Sequence, residues 1–366
     1  MNWKVPLSDI SFDEAERQAV ERVLDSRWLT MGEEVSAFER EFCALTGSRH
    51  ALAVANGTAA LHLALAALGI GSGQEVICPA LTFVATANAV LYVGARPLFA
   101  DIESLECWNL SPEDAERRIS PQTRAVMVVH YAGFSANMEA ITEIARRRKL
   151  AVVEDAAHAP GSWDTSGKHP GTRGDIGCFS LFSNKNLATG EGGMVVTDND
   201  ELAAKLRRLR SHGMTTLTLD RHHGHAYSYD VTDMGFNYRM DEIRAAIGRA
   251  QLSKLRSNND LRSRLYAYYL QNLKGIEGIR VPFLDRDYGR PSYHIFPVLL
   301  EDGNLRTSLM KYLKDRGIQS SIHYPLIPDF TLYKNTIKGF DSPPLARYVA
   351  EREITLPLYP HMGERA

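Results

Sequence analysis

Leu150-Ala151-Val152-Val153-Glu154-Asp155 is the stretch on which the fold turns, and Gly177-Cys178-Phe179-Ser180-Leu181-Phe182-Ser183-Asn184-Lys185 is its companion. Both begin with a short, almost uninterrupted apolar run and end in polar side chains. Strands with so little polar alternation belong to a sheet covered on both faces, which is the habit of parallel sheets. A carboxylate closing such a strand is costly to bury alone, so Asp155 calls for a partner. Beyond Lys185, Gly190-Glu191-Gly192-Gly193 bounds a tight turn that presents the lysine.

Working outward, similar runs occur at Ala51–Ala55, Glu75–Cys78, Arg96–Ala100, Ala125–Val129 and Met194–Thr197, which makes seven strands in all. Helical patterns lie between them at Glu34–Leu45, Ala59–Leu68, Val84–Tyr92, Pro112–Arg118, Met138–Arg148 and Glu201–Ser211. Strand and helix in alternation predict an α/β fold around a mostly parallel sheet. After about residue 240 the pattern changes to two helices, Asp241–Lys254 and Asn259–Lys274. A smaller α/β set follows: strand Tyr293–Leu300, helix Leu305–Arg316, strand Gln319–His323 and helix Ala346–Glu353. The division expected is a large domain over 1–250 and a small C-terminal domain over 251–366.

Composition narrows the function. The chain has 366 residues, 44% hydrophobic and 23% charged, with a formal net charge of −2. A nearly neutral chain has no electrostatic footprint for nucleic acid or an acidic membrane. The basic run Arg146-Arg147-Arg148-Lys149 closes a helix, where cations are favoured. Cys43, Cys78, Cys107 and Cys178 form no C-x-x-C pair, against a zinc site or a disulfide framework and for a reducing compartment. His222, His223 and His225 lie in a polar loop without spaced carboxylates, so no metal is expected there. Met1–Asp9 has no apolar signal core, and Asn56, Gly57, Thr58 and His62 interrupt the apolar stretch 51–70. The expectation is a soluble cytoplasmic protein.

A presented lysine and a buried strand-end carboxylate are what a pyridoxal 5'-phosphate site needs. The amine forms a Schiff base with the cofactor aldehyde, and the acid pairs with the pyridinium nitrogen. Asn56-Gly57-Thr58 opens a helix after a strand. That turn is either an anion site built from free N–H groups or a simple N-cap, and Lys185 and Asp155 in the same sheet favour phosphate. Gly69-Ile70-Gly71-Ser72-Gly73 follows a helix and precedes a strand, so it is a helix stop and not a dinucleotide loop. Phe83 is placed either to stack on a flat ring or to fill the core. In Asp155-Ala156-Ala157-His158-Ala159 the alanines leave room for a bulky group. His158 could meet the cofactor's phenolic oxygen or orient Asp155, and Asp155 itself could be only a helix N-cap.

Glu154-Asp155-Ala156-Ala157-His158-Ala159, the spacing from Ser180 to Lys185, Gly190-Glu191-Gly192-Gly193, Asn56-Gly57-Thr58-Ala59-Ala60-Leu61 and Gly235-Phe236-Asn237-Tyr238-Arg239-Met240 occur in order. Together they resemble the DegT/DnrJ/EryC1/StrS family of fold-type I pyridoxal phosphate sugar aminotransferases, from about Leu29 to Pro360. The resemblance implies that Lys185 is the Schiff-base lysine and proton shuttle, that Asp155 pairs with the pyridinium nitrogen, and that His158 lies near the phenolic oxygen. It further implies that Phe83 stacks on the ring and that Gly57, Thr58 and Ser180 hold the phosphate. Asn237 would reach the phosphate in the neighbouring subunit, giving a homodimer with shared active sites. His323 and Tyr324 would border the substrate cleft.

The activity implied is amino transfer from an amino acid, by default L-glutamate, to a nucleotide-linked keto sugar. An aminocyclitol or another keto acceptor would use the same machinery, and a cofactor-binding regulator without turnover is a further alternative. The family's dehydrating branch has a histidine in place of the lysine, and Lys185 argues against it.

Overall fold

Seven strands build the central sheet in the computed structural model, which describes residues 3–216, 228–337 and 342–363. They are β1 (His50–Val54), β2 (Glu75–Pro79), β3 (Arg96–Ala100), β4 (Thr123–Val129), β5 (Ala151–Asp155), β6 (Ile176–Ser180) and β7 (Gly193–Thr197). Their order across the sheet is β1-β7-β6-β5-β4-β2-β3. Neighbours from β6 to β3 pair in parallel. β7 runs antiparallel to both β6 and β1. The mostly parallel α/β sheet expected from the sequence is the one observed. His222, His223 and His225 lie outside the described residues.

Helices cover both faces: α1 (Glu14–Ser26), α2 (Glu33–Thr46), α3 (Gly57–Ala67), α4 (Ala85–Tyr92), α5 (Pro112–Arg117), α6 (Met138–Arg148) and α7 (Asp200–Arg210). Successive strand residues point to opposite faces, and the core divides accordingly. Val76, Cys78, Met127 and Val153 join the α3/α4 side, whereas Ile77, Val126, Val128 and Val152 join Met138 and Ile141 of α6. At the β1 end, Phe38 and Phe42 of α2 pack with Phe179 and Met194 in a third cluster. Fully burying one such phenylalanine is worth roughly 1.5–3 kcal/mol. The alternation also separates two adjacent carboxylates: Asp155 falls in register with Val153, and Glu154 with Val152.

The C-terminal part differs from the sequence expectation in two places. The two helices expected over 241–274 are one 32-residue helix, α8 (Glu242–Leu273), which crosses residue 250. Its mid-helix asparagines, Asn258 and Asn259, mimic a loop in sequence but are buried. Asn259 donates to the Pro160 carbonyl at 3.0 Å and accepts from the Asn186 amide at 2.8 Å. The expected strand Gln319–His323 is absent: the single bridge Ser321↔Thr355 falls within it, and another, Val5↔Ile318, just before it. Where a ladder bond would continue, the His323 N–H donates instead to the Glu353 carboxylate at 2.7 Å. The smaller sheet has the order β10-β9-β8, with β8 (Ile279–Arg280), β9 (Phe296–Leu300) and β10 (Glu353–Leu356). It is accompanied by α9 (Leu305–Asp315), α10 (Thr331–Thr336) and α11 (Pro344–Arg352). No helix among the described residues is long and apolar enough to cross a membrane.

Candidate active site

The carboxyl ends of β2, β4, β5 and β6 open onto one cavity of about 730 Å³. Open α/β sheets place their ligand sites at such strand ends. Lys185, Asp155, His158, Phe83, Gly57, Thr58, Ser180, His323 and Tyr324 all line it. Asn237 does not; it is exposed and bridges Ser211 on the strand-end segment before α8.

Lys185 sits in the connection from β6 to β7. The Lys185 N–H donates to the Phe182 carbonyl at 2.8 Å, the Leu181 N–H donates to that of Gly192 at 2.9 Å, and Gly190 takes the left-handed conformation that closes the turn. The amine rests 3.4 Å from His294 Nε2. Asn186 donates its amide hydrogens to Asn259 and to the Ser292 carbonyl, leaving its oxygen to accept from His294 Nδ1 at 2.9 Å. That arrangement fixes the hydrogen of His294 on Nδ1 and leaves Nε2 as the acceptor that holds the lysine. Burial lowers the Lys185 amine to about 8, against the opposing pull of Asp155.

Asp155 is buried, and its two oxygens are held separately. Thr86 Oγ1 of α4 donates to Oδ2 at 2.8 Å, and the Ala157 N–H donates to Oδ1 at 3.2 Å. No helix follows Asp155, so the N-cap reading of this residue fails. Burial makes it a weaker acid than an ordinary aspartate, an effect partly offset by the Thr86 bond, the Ala157 bond and the Lys185 charge. Glu154, on the other face, accepts from the N–H groups of Gly171, Arg173 and Gly174 and from His130 Nε2. It clamps the loop before β6 and has no part in the cavity wall.

His158 does not orient Asp155. Its Nδ1 accepts from the Ala132 N–H at 3.2 Å, so its Nε2 hydrogen goes to the Tyr324 hydroxyl at 3.0 Å. Tyr324 keeps its own hydrogen to donate into the cavity. Burial holds His158 neutral, well below the usual histidine range. The Phe83 ring is 56% exposed within the cavity and lies 5.9 Å from the Tyr324 ring. It is therefore wall and not core.

At the opposite end, α3 begins at Gly57 with Asn56 as its cap, whose side chain accepts from the Ala59 N–H at 2.8 Å. The N-cap is present, and it leaves the first two N–H groups, those of Gly57 and Thr58, without a protein acceptor among the described residues. A Cβ on Gly57 would come within 2.8 Å of Ser180 Cβ, so only glycine lets the helix end meet β6 this closely.

Four residues important to the site carried little sequence signal. Thr86 is the lone aliphatic hydroxyl in an alanine-rich helix, the one cue that could have found it. His294 heads an apolar strand and looks like its polar boundary. Asn184 lines the cavity with its buried Oδ1 unpartnered. Glu353 alternates with Ile354 and Leu356 as a solvent-facing strand residue would, yet it is fully buried. No cluster of metal-ligating side chains is present among the described residues.

Comparison with known proteins agrees with this geometry. The model of the DegT/DnrJ/EryC1/StrS aminotransferase family matches residues 11–366. The spore coat polysaccharide biosynthesis protein SpsC of Bacillus subtilis (strain 168) is 38% identical, covering 99% of this chain and 94% of its own. DesI, solved in the presence of its TDP-sugar product, superposes with a TM-score of 0.88 at 30% identity, covering 100% of this chain and 90% of DesI. The PLP-form of Spr1654 from Streptococcus pneumoniae gives a TM-score of 0.91 at 27% identity, covering 99% and 95% respectively. The chain belongs to the DegT/DnrJ/EryC1/StrS family and is an aminotransferase of fold-type I architecture.

Proposed function

We propose that this aminotransferase uses pyridoxal 5'-phosphate to move an amino group from L-glutamate to a nucleotide-linked keto sugar. The observation that carries the proposal is a single cavity walled by the Lys185 amine, the Asp155 carboxylate and the free amino end of α3. The residues present fit that cofactor. The Gly57–Ser180 cradle and the open N–H groups suit a phosphate, Phe83 offers a ring face, and Asn184 Oδ1 is a buried acceptor in want of a donor.

When bound, the cofactor supplies an electron sink for the carbon that loses a proton. Lys185 then has two tasks, covalent attachment through its amine and proton transfer once that amine is free. A lowered amine suits both, because the neutral form is populated near physiological pH. Asp155, fixed by Thr86 and the Ala157 N–H, holds a proton on the heterocycle's far nitrogen. That ring cation would in turn relieve the cost of burying the carboxylate. Tyr324, held by His158, would offer a hydroxyl donor to the cofactor's phenolic oxygen.

The nucleotide-linked acceptor is supported by DesI and its TDP-sugar product, and a role in polysaccharide building by SpsC. We further propose a homodimer in which Asn237 completes the phosphate site of the other subunit, domains over 1–250 and 251–366, and a cytoplasmic location. Four free cysteines support the last. The test is the first half-reaction. L-glutamate added to cofactor-loaded protein should bleach the cofactor's visible band and release one equivalent of 2-oxoglutarate. A spectrum unmoved by any amino donor would favour a cofactor-binding regulator.

A further inference from the structure

Outside the lysine's own surroundings, one buried acid is connected to the cavity. Glu353 and Thr355 alternate along β10 and so share a face. Thr355 Oγ1 bonds to Glu353 Oε1, while Glu353 Oε2 takes the His323 N–H at 2.7 Å. The same Thr355 oxygen lies 2.9 Å from His323 Nδ1. His323 lines the cavity, and its Nε2 has no protein partner among the described residues. Burial, then the Lys185 charge, lowers His323 to about 3, so the ring stays neutral and only its tautomer can vary.

We propose that Glu353, Thr355 and His323 form a proton wire, in which one proton stored on Glu353 sets whether His323 Nε2 meets the cavity as a donor or as an acceptor. With Glu353 protonated on Oε1, its O–H donates to Thr355 and the Thr355 O–H donates to Nδ1. The ring hydrogen is then on Nε2. With Glu353 ionised, the Thr355 O–H turns to the carboxylate and accepts from Nδ1–H, leaving a lone pair on Nε2. Between the two states exactly one proton leaves, and it leaves at Nε2, inside the cavity. Glu353 is thus a positioning residue for His323. The link to amino transfer rests on the function proposed above: the donor state suits a carbonyl or phosphate oxygen, and the acceptor state a hydroxyl or ammonium group.

The charged and titratable groups around Glu353 are few. His323 and Tyr324 face it from segment 321–324, Tyr131 from the turn after β4, and Arg306 from α9, whereas β9 opposite is apolar. Lys185 and Asp155 act on His323 and Tyr324 across the cavity. Burial outweighs the Thr355 and His323 bonds and the Arg306 charge, and raises Glu353 to about 8.

The test uses cofactor-free full-length protein with nitrogen-15 histidine. Long-range proton–nitrogen spectra report the His323 tautomer, assigned by its loss in His323→Gln. Titrated upward through about pH 8, the wild type should pass from Nε2–H to Nδ1–H. Glu353→Gln should stay Nε2–H throughout, because its amide oxygen takes the His323 N–H and leaves the NH2 to donate to Thr355. Thr355→Val should lose the switch and Thr355→Ser should keep it, a pair that decides the matter if the Glu353 variant does not fold. A His323 tautomer that ignores pH in the wild type, or a switch that survives Thr355→Val, would overturn the wire. Since no cofactor is present, failure of the glutamate half-reaction and failure of this wire are separate results.

Discussion

At the scale of single residues, the site depends on two groups held in costly states. Lys185 is a buried amine lowered to about 8. The neutral fraction needed for attack grows as pH rises and saturates above that value. Covalent uptake of cofactor by stripped protein should therefore accelerate about tenfold per pH unit below about 8 and then level off, where a free lysine would continue to about 10.4. Stopped-flow absorbance would show the break, and a profile still climbing past pH 9 would contradict the burial argument. Asp155 depends on Thr86 in the same way. Thr86→Val should leave Oδ2 short of a donor, cost about 1–3 kcal/mol, and weaken cofactor binding roughly tenfold or more; unchanged affinity in a fluorescence titration would show the bond to be idle. Asp155 was legible as a polar residue ending a buried apolar run, and Lys185 as an amine presented by a glycine-bounded turn just past another. Thr86, His294 and Glu353 were not, because their importance comes from partners distant in sequence, such as the 109-residue separation of Lys185 and His294.

At the scale of elements, strand alternation explains why neighbouring acids have different tasks. Asp155 opens on the cavity face, and Glu154 clamps three backbone N–H groups and His130 on the other. Glu154→Ala would strand all four donors and should cost on the order of 3–5 kcal/mol in denaturant unfolding; a loss below about 1 kcal/mol would mean that the loop re-pairs by itself. The start of α3 makes a second prediction. Gly57→Ala puts a methyl against Ser180 Cβ and should part the helix end from β6, lowering cofactor affinity by roughly an order of magnitude with about 1–3 kcal/mol lost in stability. Equilibrium dialysis and thermal melts would separate the two effects. The seven strands were readable from apolar runs alone. The Gln319–His323 strand was misread because a side-chain carboxylate replaces its ladder partner, which no local pattern encodes.

At the scale of the whole molecule, every proposed cofactor contact lines the one cavity at the carboxyl ends of the central strands except Asn237, which lies exposed outside it. The shared-site homodimer proposed above would account for that exception. Sedimentation should give twice the 40.8 kDa chain mass, and mixing inactive Lys185→Ala with inactive Asn237→Ala should restore activity, since one site of each mixed dimer is then intact. No recovery on mixing would assign each site to one chain. The long α8 escaped the sequence because its buried asparagines look like a break, so the architecture beyond residue 240 was less legible than the sheet. The central claim, a covalent cofactor on Lys185 opposite Asp155, has one most direct test: borohydride reduction of the cofactor-loaded protein followed by peptide mass mapping. The reduced pyridoxyl group should lie on Lys185 alone; an adduct on another lysine, or none, would contradict the assignment.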